Sequence, residues 1–182
     1  YPYGFGQDKE DFMVWDSTEP LKLVELMIEA GVGLLSNSGG NPYYIYPQVT
    51  RPFDTPAIGA ETPDEHPLIS VERLFHFTRK IQETAGDIPV IGNGYTWLRQ
   101  FLPYAGAANI ADGSVTMVGM GRQAFAYPEA TNDILEHGEL DPRKSCTACS
   151  RCTQIMRDHG RTGCVIRDAE VYVPLYQQYR KE

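Results

Sequence analysis

Three short runs that close on glycine constrain this chain more than any other feature. They are VGLLSN at 32–37, leading into SGG, then IPVIGNG at 88–94, and SVTMVGMGR at 114–122. The first two read as short buried strands from their unbroken apolar character, and the third follows as their partner. Helical patterns separate them. Residues 17–30 carry cap candidates in Ser17 and Thr18, a first-turn Pro20, and an apolar face of Leu21, Val24, Leu26 and Ile28. Gly31 is the expected stop. Residues 69–86 repeat the plan with Ser70 as cap and Gly86 as stop, and residues 129–138 form a last short helix. Residues 96–108 look helical from Thr96, with Pro103 expected to kink or shorten the element. Strands alternating with helices predict an α/β fold with parallel strands. In such folds ligands gather at the carboxyl ends of the strands, where all three glycine tips lie.

Between the first two units, residues 41–69 contain six prolines, which no regular element survives. Tyr43, Tyr44, Tyr46 and Phe53 favour an ordered loop that packs on something. It is expected to shape a substrate entrance or a contact between copies in a homo-oligomer.

The chain has 182 residues, 42% hydrophobic and 22% charged, which is enough for one domain with its own core. A net charge of −8 argues against a nucleic-acid binder, and no apolar run approaches a membrane span. Locally the balance reverses. Arg143, Lys144, Arg151, Arg157, Arg161 and Arg167 face only Asp158 across that stretch. Such a cluster is either a solvated basic face or the surround of something anionic.

Glycine at a strand tip lets backbone N–H groups approach a ligand closely. Gly94 and Gly121, with Arg122 directly after the latter, have the makings of a phosphate cradle. The competing reading is that Gly92, Gly94, Gly119 and Gly121 only make tight turns. GMGRQA at 119–124 also matches a loose dinucleotide fingerprint, but FAYP follows and Pro128 interrupts any helix opening there. A dinucleotide site is therefore not expected at that position.

All four cysteines fall in one segment, as Cys146, Cys149, Cys152 and Cys164 with spacing C-x2-C-x2-C-x11-C. Disulfide frameworks belong mostly to small secreted chains with weak cores, whereas buried parallel strands are expected here and no export-signal pattern is seen in the opening stretch. A structural zinc site would more often show two separated C-x2-C pairs. Three thiols at three-residue intervals followed by one distant thiol favour a [4Fe–4S] cluster, whose net negative charge the nearby arginines would offset.

With these motifs together, EAGVGLLSNSGG, IPVIGNG, SVTMVGMGRQAFAYPE and the cysteine loop, the chain resembles the NADH:flavin oxidoreductases of the Old Yellow Enzyme type. Within them it is similar to the iron–sulfur branch of dienoyl-CoA reductase-like and trimethylamine dehydrogenase-like enzymes. The resemblance runs from about Thr18 to Cys164. It implies that the three units are strands six to eight of a TIM (β/α)8 barrel, covering residues 1–140, with residues 141–182 forming a cluster-binding segment and tail. It further implies that Gly94, Gly121 and Arg122 bind the phosphate of FMN, with Asn93 and Met120 adjacent and Ser38 and Gly39 on the preceding tip. Cys146, Cys149, Cys152 and Cys164 would hold the [4Fe–4S] cluster close to the flavin. The implied activity is reduction of an activated C=C bond of an unsaturated carbonyl or thioester, with NAD(P)H as reductant, in the cytoplasm. Two departures stand out: dienoyl-CoA reductase-like members space the middle cysteines one residue wider, and they follow the last cysteine with Asn-Pro where this chain has VIRD. Three strands leave two raw edges, so the remaining strands and most catalytic residues are expected upstream of Tyr1. A non-catalytic binding module stabilised by zinc or by a cluster is the alternative.

Overall fold

The computed structural model describes residues 4–11, 14–39 and 64–179. Most of the proline-dense loop lies outside the described residues. The fold is mixed α/β around a three-stranded parallel sheet in the order β1-β2-β3, built from Leu35–Asn37, Val90–Gly92 and Met117–Val118. Each strand is shorter than the run that predicts it. Among the described residues no helix is long and apolar enough to cross a membrane.

Helix α1 (Thr18–Glu29) and helix α2 (Pro67–Ala85) pack together beside the sheet. Val24 of α1, Ala85 of α2 and Val90 of β2 form one buried cluster, with Ile28, Leu35, Ile81 and Ile88 packed against it. Ser17 precedes α1 but makes no capping bond; Asp16 Oδ1 accepts the Thr18 N–H instead, at 2.9 Å. Helix α2 begins at Pro67, earlier than its sequence pattern predicts. His66 caps it, Nδ1 accepting from Leu68 N–H at 3.2 Å, and proline takes the first helical position, where no N–H is missed. The predicted cap, Ser70, lies inside the helix and donates to Glu65, which Arg73 also grips with two nitrogens at 2.8 and 2.7 Å.

Polar bonds tie α2 to the sheet. Gln82 donates to the Gly86 and Ile88 carbonyls and accepts from Thr116, so one buried amide links the entries to β2 and β3. Beyond β2, residues Tyr95–Phe101 form a 3-10 stretch, interrupted at Arg99 with φ 55°. Helix α3 (Leu102–Ala111) starts immediately before Pro103. Proline therefore divides the predicted single helix at a first turn, rather than kinking its middle. After β3 come α4 (Gln123–Ala126), one turn closed by Tyr127 before Pro128, and α5 (Ala130–His137). A helix does open after GMGR, but it is far too short for a dinucleotide crossover. Tyr95, Leu102, Tyr127, Ala130 and Leu140 make the second buried cluster. Two helices absent from the sequence reading complete the chain: α6 (Arg151–Arg157), inside the cysteine segment, and α7 (Ala169–Tyr179).

Candidate metal centre and strand-tip site

Parallel register fixes where the predicted tip residues fall. Asn37, Gly92 and Val118 are neighbours across the sheet, so Ser38–Gly39, Asn93–Gly94 and Met120–Gly121–Arg122 all follow the same edge. Asn93 stitches that edge. Its Nδ2 donates to the Asn37 carbonyl at 2.8 Å and to Ser36 Oγ at 3.3 Å. Gly119 N–H donates to the Gly92 carbonyl at 2.7 Å.

The glycines divide by what surrounds them. A side chain at Gly92 would meet Val115 and Thr78, and one at Gly119 would collide with Asn93 Oδ1. Gly39 and Gly94 have φ of +62° and +100°, and both lie over Leu74, which is 2% exposed. Gly121 is different: it is exposed, and a Cβ there would meet nothing within 4 Å. Packing accounts for glycine at the first four positions and not at Gly121. Met120 turns its side chain toward the second core cluster, so its polar contribution at the tip is its backbone.

The four cysteines, scattered over 19 positions, line a single recess with about 310 Å³ of empty volume, part of it open to solvent. Arg122, Phe125, Ala148, Ser150 and Val165 share its wall. The local backbone explains the convergence. Ala148 and Ser150 adopt left-handed conformations, φ 57° and 58°, and so turn the chain between successive thiols. Such positions cost roughly 1–2 kcal/mol in non-glycine residues, so neighbouring structure must hold them. Cys146 N–H donates to Gln123 Oε1 at 3.0 Å, fastening the first thiol to α4. Thr162 Oγ donates to the Cys152 carbonyl at 2.6 Å, bringing back the loop that carries Cys164.

All four thiols are free. Cys146 accepts from Ala148 N–H at 3.4 Å and Cys164 from Arg167 N–H at 3.3 Å, and Thr153 hydrogen-bonds to the Cys152 thiol. Burial pushes the Cys146 and Cys152 thiols above their ordinary pKa, while the positive charge of Arg122 pulls both down. Among the described residues no three Cys, His, Asp or Glu side chains form a compact ligand group for one metal ion; the thiols ring a recess instead.

Polar groups left over by folding cluster at this recess. Among the described residues, the buried side-chain atoms without a hydrogen-bond partner are Arg122 Nη1, Gln123 Nε2 and Ser150 Oγ. Two belong to residues of the recess wall, and the third to the residue that holds Cys146. Buried donors are ordinarily paired, so this concentration marks a place suited to an acceptor-rich group.

Four of the six basic residues anticipated from sequence have partners of their own. Arg143 pairs with Asp141, Lys144 with Asp133, Arg167 donates to the Ser145 carbonyl, and Arg151 stacks over Tyr176. The cation in the recess wall is Arg122, which the sequence pattern assigned to the phosphate. No family model matches the chain, and neither curated proteins nor solved structures give a match.

Proposed function

We propose that this chain is the cofactor-carrying part of an oxidoreductase that uses FMN and a [4Fe–4S] cluster. The observation that carries the reading is the recess itself: four free thiols and three unpartnered buried polar atoms gathered within one segment and the turn after β3. A zinc ion would satisfy four thiolates and bring no further acceptors. A cluster brings inorganic sulfides as well, which can accept from the leftover donors.

Cys146, Cys149, Cys152 and Cys164 would hold the cluster. Backbone N–H groups at Gly94 and Gly121 would face the flavin phosphate, with Arg122 alongside and Asn93, Met120, Ser38 and Gly39 shaping the edge. Gly121 supports this assignment, because no neighbour among the described residues requires glycine there while close approach of a ligand does. Leu74 supports the tips from below, and Asn93 locks β1 to β2 so that the edge is rigid before anything binds. Phe125 and Val165 place apolar surface in the recess wall and limit water there.

When bound, these groups supply hydride chemistry, from NAD(P)H toward the activated C=C bond of an unsaturated carbonyl or thioester, and single-electron storage. In this reading the three βα units are strands six to eight of a (β/α)8 barrel, and the reducing cytoplasm is where four such thiols persist.

The test is metal and cofactor content after anaerobic reconstitution with ferrous iron, sulfide and FMN, in competition with zinc. The reading expects about four irons and an equal amount of acid-labile sulfide per chain. Stoichiometric zinc without sulfide would show a structural metal module instead.

A further inference from the structure

Two donors in the recess wall are unspent. Among the described residues, Arg122 Nη1 is buried without a partner, and Ser150, only 3% exposed, has an unpartnered Oγ. Both residues line the recess formed by the four cysteines. Backbone donors already reach Cys146 and Cys164, so the hydrogen-bonding environment of the thiols is partly built by the chain itself. Arg143, Lys144, Arg151 and Arg167 are engaged with other groups, while Arg122 lies in the recess wall itself.

We propose that Arg122 and Ser150 donate hydrogen bonds to the group the four cysteines hold and thereby raise its reduction potential. The inference rests on the cluster reading given above. Reduction adds an electron to a group that is already negative. A donor or cation beside it stabilises the reduced form more than the oxidised form. Net charge, hydrogen bonds to the sulfurs and solvent exposure are the properties that set such potentials. Arg122 acts on the first two at once; Ser150 acts on the second. Arg122 thus serves the cysteine-held centre directly, in addition to whatever it contributes at the strand-tip edge.

The experiment uses the full chain, reconstituted anaerobically with ferrous iron and sulfide and titrated spectroelectrochemically. Arg122→Gln is expected to lower the midpoint by about a tenfold change in the reduction equilibrium, 59 mV for a one-electron couple. Ser150→Ala is expected to lower it by less, and Arg122→Lys, which keeps the charge, to recover much of the shift. If Arg122→Gln fails to load, Ser150→Ala and Arg122→Lys decide the matter. Midpoints equal to wild type, even where thermal stability changes, would overturn the inference, because a purely structural role moves stability alone. A wild-type chain that takes up no iron or sulfide sinks the cluster reading, and this inference with it.

Discussion

Gly94 and Gly121 carry the same sequence signal and different physics. At Gly94 the backbone sits at φ +100° and a Cβ would come 3.0 Å from Leu74 Cδ1. Gly94→Ala is expected to cost about 1–2 kcal/mol from the backbone alone, read as a lower urea midpoint at unchanged slope. At Gly121 nothing crowds the position, so Gly121→Ala is expected to leave stability within about 0.5 kcal/mol. If the strand-tip reading holds, that variant weakens FMN binding instead, measured by quenching of flavin fluorescence; equal stability and equal affinity would remove Gly121 from the site. Leu74→Ala is expected to cost about 2–5 kcal/mol, because that side chain fills the core beneath both Gly39 and Gly94. The glycine tips were legible as a pattern, since strand-end glycines are easy to see. Which glycines serve packing was not legible. That depends on Asn93 lying against Gly119 and Leu74 under Gly94, contacts made across the sheet and against a helix distant in sequence.

Elements read correctly are those whose burial comes from their own periodicity. Helices α1, α2 and α5 and the three strands fall inside their predicted spans or within a few residues of them, apart from the starts set by local caps. Helices α6 and α7 escaped because their short or proline-bearing sequences, with Pro174 inside α7, carry little periodic signal. They are held by neighbours: Ile155 of α6 is fully buried, and α7 lies against α6. Between α5 and the cysteine segment, Tyr127 makes the tie. Its hydroxyl donates to Asp133 and lies 3.5 Å from the Asp141 N–H that donates to it, with Lys144 over its ring. That hydrogen bond, chiefly, holds the Asp133 carboxyl below its ordinary 3.8, with Lys144 adding to it. Burial, then Asp133, pushes the Tyr127 phenol above its ordinary 10.0. The depressed carboxyl stabilises the fold above pH 3.8, and that stability is lost as pH falls through the folded value. The raised phenol works at the other end, since the unfolded chain ionises above pH 10.0 while the folded chain still holds the proton. Tyr127→Phe removes both effects. Its destabilisation is therefore expected to be greatest between these limits and to shrink in strong acid and strong alkali, as measured by urea unfolding across pH. A penalty independent of pH would mean that Tyr127 acts only by packing.

At the scale of the whole molecule, the cysteine-held centre would act as a staple. Among the bonds that tie the segment from Asp141 onward to the rest of the fold are Cys146 to Gln123, Asp141 to Tyr127, and Lys144 to Asp133. Within the segment, Arg167 returns to the Ser145 carbonyl and Thr162 to Cys152. Four thiolates bound to one group would cross-link the recess from Cys146 to Cys164 and hold Ala148 and Ser150 in their left-handed turns. A group that binds only the folded chain adds about 2.7 kcal/mol when present at a hundred times its dissociation constant. Stripping iron with a chelator, or exposure to air, is therefore expected to lower the unfolding temperature of the reconstituted chain and to loosen this segment first. Trypsin reports where. Cleavage should begin at Arg143, Arg151, Arg157 or Arg161, which are all exposed, while Arg79 and Lys80, accessible at their side chains but held in the middle of the 19-residue α2, stay protected. If the loaded and stripped chains are cut at the same sites and at the same rate, the segment is held by its own packing and the thiols add nothing to the fold.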